Sequence, residues 1–189
     1  MTLPPGAMPL ILAGVGVAAI ALAAAWWVIR RRAATGTQAR LRQACDDLLS
    51  GLLLPNAESG QIHIEHVVLT KKGIVVVDVR DVVGHVFGSE TMQDWTVLGS
   101  NKRFTFPNPL PLLYDRIAAI RRLLPDTPVR GCVAFTGRAQ FSKGFPPNVA
   151  MLDALIGELT AERNSTDGPA KELLREAWGR CAGVSGGSD

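Results

Sequence analysis

The spacing of apolar positions changes along the chain, and each change marks an element. From Pro9 to Ile29, PLILAGVGVAAIALAAAWWVI, 21 residues pass without a charge. At about 1.5 Å rise per residue, a helix of that length crosses the roughly 30 Å hydrocarbon core of a bilayer, so the pattern predicts a transmembrane helix. Trp26 and Trp27 suit an interfacial belt, and Arg30, Arg31 and Arg32 follow directly. The positive-inside rule then places the N-terminus outside and the remainder in the cytoplasm, at the cell membrane. A cleaved secretory signal is the alternative, but it needs a positively charged n-region, and Met1 to Met8 have no charged side chain.

Beyond the arginines the periodicity shortens. Gln38 to Leu54 is expected to be a helix, with Leu41, Cys45, Leu48 and Leu49 on one stripe. LPNAESGQ then breaks the chain. Ile62, Ile64 and Val67 to Leu69 form a first strand and Ile74 to Arg80 a second. Gly84 to Gly88 make a short third strand, and Trp95 to Leu98 a fourth. Pro109 stands at a helix start, and Leu110, Leu113, Ile117, Ile120 and Leu124 keep helical spacing. VRGCVAF is a further buried strand, and Val149 to Arg163 and Pro169 to Cys181 are closing helices. The order predicts an α/β chain with one sheet covered by helices. The segments are an extracytoplasmic 1–8, the span 9–29, a basic juxtamembrane linker 30–37, the α/β domain 38–182 and a disordered tail 183–189.

The net charge of +3 changes meaning once it is divided by region. Five of the 20 basic residues precede Cys45 and all 17 acids follow it, so 15 bases against 17 acids leave the domain at −2. The basic character is juxtamembrane, where each residue near anionic lipid is worth about 1 kcal/mol, making membrane lipid the expected partner. A nucleic-acid binder ordinarily carries net positive charge. Locally, Arg116, Arg121, Arg122 and Arg130 could form a basic patch. Cys45, Cys132 and Cys181 are odd in number and widely separated, with no C-x-x-C pair, and are expected to be reduced and structural.

The chemistry concentrates in GIVVVDVRD, Gly73 to Asp81. Strand alternation puts Val76, Asp78 and Arg80 on one face. Glu65 joins them if a two-residue Lys71-Lys72 turn pairs Thr70 with Gly73. A three-residue turn with Gly73 in a left-handed bulge brings His66 there instead. Two adjacent carboxylates repel unless a cation sits between them, and Arg80 is the nearest candidate. An acid–base pair at a strand end, with no function, accounts for the same residues. His63, His66 and His85 lack metal-ligand spacing, Trp95 and Asn108-Pro109 suit packing and a helix start, and Gly84 and Gly88 suit turns. No Ser-His-Asp elbow, P-loop or dinucleotide glycine motif occurs.

IEHVVLTKKGIVVVDVRDVVGHVFG, then Trp95, then FPNPL resembles the nuclease-related domain (NERD) family over about Gln61 to Leu124. That family's run is I-D-H, a strand, a Gly turn, a strand ending E-x-K, G-x-h-x-G, a Trp and N-P-L. The resemblance implies a restriction-endonuclease-like mixed sheet flanked by helices, and kinship with PD-(D/E)xK nucleases. The first acid corresponds to Glu65, the second to Asp78 and the lysine to Arg80. Glu65 and Asp78 would be the metal ligands for Mg²⁺, and all three residues the catalytic set. It favours the two-residue turn, with the three side chains at the sheet end not covered by the helix from Pro109. Each position departs from the family pattern: Glu replaces Asp, Asp replaces Glu, and a bulkier guanidinium that keeps its proton replaces the lysine. The family's glutamine after N-P-L falls on Leu112, and its first-helix glutamate has no counterpart near Gln38 or Arg40.

These features predict a single-pass membrane protein whose NERD-like domain is catalytically weakened and works by binding or scaffolding, with nucleic acid as the implied ligand. A divalent-metal nuclease using Glu65, Asp78 and Arg80 is the alternative. A third reading is a structural membrane-surface module, which the domain charge favours.

Overall fold

The computed structural model describes residues 36–55, 60–100, 102–165 and 171–185. The Pro9–Ile29 segment and the arginines after it lie outside these residues. Among the described residues no helix is long and apolar enough to cross a membrane. The chain divides into two units, Met1–Arg40 and Leu41–Asp189, and the architecture below is that of the second.

A helix over residues 36–44 (α1) leads into strand β1, Asp47–Pro55. The expected helix from Gln38 to Leu54 is therefore half strand. Asp47 Oδ1 accepts the Leu48 N–H at 2.8 Å, and the Leu-rich stretch after it pairs antiparallel with β2, Gln61–Thr70. The Lys71-Lys72 turn leads to β3, Gly73–Arg80. After β4, Gly84–Phe87, and β5, Asp94–Leu98, comes β6, Arg103–Pro107. Helix α2, Pro109–Leu123, follows; Asn108 caps it by accepting the Leu110 N–H. The chain continues through β7, Val129–Phe135, the two-residue β8, Ala139–Gln140, and β9, Val149–Met151, to helices α3, Leu152–Asn164, and α4, Lys171–Ser185. The helical segment reaches two residues into the expected 30–37 linker, and α4 continues through Ser185 into the expected tail.

Two sheets form where one is expected. The larger has the order β1-β2-β3-β7-β9, antiparallel as far as β3 and parallel from β3 to β9; the smaller has the order β6-β5-β4-β8. Helix α2 lays Leu113, Ile117 and Ile120 over Ile74, Val76 and Val133, and α4 adds Ala177 and Cys181 to that core. On the other face, Leu41 and Ala44 of α1 and Leu155 and Leu159 of α3 cover Val68, Val75, Val77 and Cys132. With both faces of β3 covered, Val75, Val76 and Val77 are all buried, and for that reason the strand is a continuous apolar run. Each such side chain contributes about 1.5–3 kcal/mol by leaving water.

The smaller sheet joins the α2-side core through Val86, Val97 and Trp95. Trp95 is fully buried, stacks on Phe135 with ring centroids 6.1 Å apart, and donates its indole N–H to the Ser89 carbonyl. Gly88 does not serve a turn: a Cβ there would lie 2.1 Å from the Trp95 ring. Gly84 does need its freedom, with φ at +126° under the Leu98 carbonyl.

Candidate functional site

The parallel strands β3 and β7 end together, with Arg80 opposite Phe135, and the charged residues of the β3 motif collect at that end. The β2–β3 ladder starts at Thr70↔Gly73, so the two-residue turn is the one formed, and it runs to His66↔Val77. One step further, side chains take over from the main chain. Glu65 Oε2 accepts the Val79 N–H at 3.1 Å, and the His63 carbonyl accepts from Arg116 Nε at 2.8 Å. In β1, Gly51 adopts φ +73° between the pairs Ser50↔His66 and Leu52↔Ile64. The strand pair is thus distorted opposite Glu65.

Asp78 follows Ile74 and Val76 on the face that α2 covers. It is not at an uncovered end of the sheet. The residue is 4% exposed. Its Oδ2 accepts from Arg80 Nη2 at 2.8 Å and stands 3.0 Å from Arg116 Nη1. Arg80 neutralises Asp78 as expected, and Arg116 is a second cation that the motif did not announce. Arg116 lies among Leu113, Ile117 and Ile120, the apolar stripe of α2, and is 8% exposed. An arginine inside a helix's buried stripe needs a partner, and that was the available signal. Two buried donors at this cluster have no hydrogen-bond partner: Arg80 Nε and Arg116 Nη1, the latter close to Asp78 but misaligned for a bond.

Around them sit Glu65 and His66. The Glu65 side chain is 40% exposed. Ser50 Oγ lies 3.0 Å from His66 Nδ1, and His66 Nε2 is 3.8 Å from Glu65 Oε1. Burial holds His66 below the usual histidine range; Glu65 and Asp78 pull it back up and His63 opposes them. Of the other arginines, Arg121 and Arg130 line one cavity; Arg121 Nη2 donates to the Val129 carbonyl, and Arg130 pairs with Glu158 and Glu162. All three cysteines are free and buried.

Mg²⁺ requires near-octahedral oxygen ligands at about 2.0–2.1 Å. Here Asp78 Oδ2 already faces two guanidiniums and Glu65 Oε2 holds a main-chain N–H. Among the described residues no group of three or more His, Cys, Asp or Glu could hold a metal. As arranged, Glu65 and Asp78 do not fit the ion.

Residues 31–136, more than half of the chain, match the nuclease-related domain. The chain is also 34% identical over 61 residues to an uncharacterized protein of Bacillus anthracis, a stretch covering 32% of this chain and 29% of that protein. It therefore spans less than a third of that relative's length. No solved structure matches the chain.

Proposed function

The chain belongs to the nuclease-related domain family, and from that premise we propose a single-pass membrane protein, N-terminus outside, whose cytoplasmic, restriction-endonuclease-like domain binds nucleic acid without metal-dependent cleavage. The observation that carries the reading is the state of Asp78. The carboxylate that would serve as a metal ligand is buried and held by Arg80 and Arg116. A hydrolytic centre needs charged groups poised for the attacking water and the developing phosphorane charge, held close to their productive geometry. Here the acid is shared between two cations. Arg80 stabilises charge but cannot act as a base.

The test is binding and cleavage of single- and double-stranded DNA and RNA by the full chain in lipid nanodiscs, with and without Mg²⁺ or Mn²⁺. Binding without cleavage is expected. Metal-dependent cleavage that vanishes in Asp78→Asn, with folding stability unchanged, overturns the reading in favour of the nuclease. Absence of binding to every nucleic acid favours the structural membrane-surface module, consistent with a domain charge of −2 from 15 bases and 17 acids.

A further inference from the structure

We propose that the groove between α2 and the outer edge of β7 binds the carboxy-terminal end of a partner polypeptide, laid down as a short extra strand with its carboxylate on Arg121. A cavity of about 510 Å³ opens there, within the roughly 300–1,000 Å³ of ligand pockets. None of Asp78, Arg80 and Arg116 lines it, so the site is separate from the β3 motif and does not depend on the nucleic-acid reading.

β9 is the last strand of the larger sheet, and its ladder with β7 begins only at Val133↔Val149. The stretch from Val129 to Cys132 is paired with β3 on one side and, among the described residues, with no strand on the other. Val133 donates its N–H outward to the Asn148 carbonyl at 2.8 Å, and the Val129 carbonyl accepts from Arg121 on the same side. By the alternation of a strand, the N–H and C=O of Gly131, midway between them, face that edge too, where Gly131 lines the cavity. An edge of this kind takes an extended segment as an added strand, held by main-chain hydrogen bonds.

The groove has a length and a polarity. Tyr114, Ala118 and Arg121 stand at positions i, i+4 and i+7 of α2, one stripe of the helix, and all three line the cavity. Seven residues at about 1.5 Å each make this wall about 10.5 Å long, which matches about three residues of strand at roughly 3.3 Å. Arg121 is exposed, and its bond to the Val129 carbonyl, a neutral acceptor, fixes the guanidinium without meeting its charge. Arg130 also lines the cavity, but its guanidinium pairs with Glu158 and Glu162. At the other end the Tyr114 hydroxyl donates to Glu90 Oε1 at 2.8 Å. An anionic terminus therefore belongs at Arg121, whose fork suits a carboxylate, and the chain leading to it runs from the Tyr114 end, antiparallel to β7.

The experiment uses the full chain in nanodiscs and an N-terminally labelled pool of hexapeptides of degenerate sequence, either free or amidated at the carboxy terminus. Binding is read by fluorescence polarisation. Amidation is expected to weaken it about tenfold, the loss of one charge-assisted contact. Arg121→Gln removes the difference between the two pools, and Arg121→Lys restores part of it. Arg122→Gln, at the exposed neighbouring position, serves as the control and leaves the difference as it is in the wild type. Bound free peptide slows hydrogen exchange at the Gly131 N–H. An acetylated tripeptide competes with the free pool, and hexanoate at the same concentration does not.

Pools that bind alike, or a preference for the free carboxylate that survives in Arg121→Gln, overturn the carboxylate contact. Binding that leaves Gly131 exchange unchanged overturns the added strand. Hexanoate competing as well as the tripeptide makes the ligand a small organic acid and not a polypeptide. Self-association that Arg121→Gln abolishes makes the occupant a second copy of this chain. Absence of binding by either pool removes the site and leaves the nucleic-acid reading untouched.

Discussion

Asp78 carries two guanidiniums of unequal worth. Arg116 is nearly buried and fixed at its Nε by the His63 carbonyl, whereas Arg80 is one-third exposed. Removing one partner of a buried pair strands the other and costs about 3–5 kcal/mol, while an exposed pair is worth about 0–1 kcal/mol. Arg116→Met is therefore expected to lower unfolding free energy by about 3 kcal/mol, and Arg80→Met by about 1 kcal/mol or less; urea denaturation of both variants measures the difference. Equal losses would show that the two arginines are equivalent partners, and a larger loss for Arg80→Met that Arg80 is the main one. His66 adds a pH term. Its folded pKa lies below the ordinary value because burial disfavours the charged imidazolium. The unfolded chain then binds more protons, so this contribution is complete above about pH 6.5 and is lost as pH falls towards the folded pKa. His66→Asn should flatten the dependence of stability on pH in that acid range, and an unchanged slope assigns it to other groups. The Asp78–Arg80 pair was legible in the sequence because both residues lie on one strand two positions apart. Arg116 was not, since its meeting with Asp78 depends on how α2 lies across the sheet.

Among the elements, strands buried on both faces and helices with a capped start were legible, and edge strands were not. The α2 boundaries follow from Asn108-Pro109 and a regular apolar stripe, and β3 and β7 follow from unbroken apolar runs bounded by turns. The Leu-rich β1 was misread because Leu48 and Leu49 fit the helical stripe from Leu41 as well as they fit a strand. Pairing with β2 overrides the helix propensity of leucine. β6, β8 and β9 escape notice for a related reason: β6 is largely exposed, β8 has two residues and β9 three, so none shows a period. What fixes the second sheet is the packing of Trp95 onto Gly88, and this gives a sharp test. A methyl at Gly88 would sit inside van der Waals contact with the indole ring. Gly88→Ala should cost about 1–3 kcal/mol, the usual range for overpacking, and should alter tryptophan fluorescence. A variant with wild-type stability and emission would mean that Trp95 can shift without cost. Gly73 is comparably constrained, at φ +137° with a would-be Cβ 2.3 Å from the Pro128 carbonyl oxygen.

For the whole molecule, the three thiols report on integrity. Burial raises Cys45 and Cys181 to about 11 and Cys132 to about 12. At pH 8 almost no thiolate forms in the folded chain, so disulfide reagents should label none of the three until denaturant is added. Fast labelling of the native protein would mean that a helix opens readily. The larger question is how a domain carrying 15 bases and 17 acids after residue 44 could meet a polyanion. A balance of that kind gives no diffuse attraction, so the nucleic-acid binding proposed above would depend on a local arrangement of charge. On the proposed topology, Arg30 to Arg32 would favour a different polyanion, the anionic leaflet, at about 1 kcal/mol each. Orientation follows from the same residues. With three arginines after the apolar span and no charged side chain in residues 1–8, the C-terminal side should stay with the positive charges in the cytoplasm. A reporter fused after Asp189 is accordingly expected to be active only in its cytoplasmic form, and to become extracytoplasmic in part of the population when Arg30, Arg31 and Arg32 are all changed to Ser and lysines are placed before Pro9. A wild-type fusion active outside the membrane would reverse the topology and, by removing the domain from the cytoplasm, would also remove intracellular nucleic acid as its ligand.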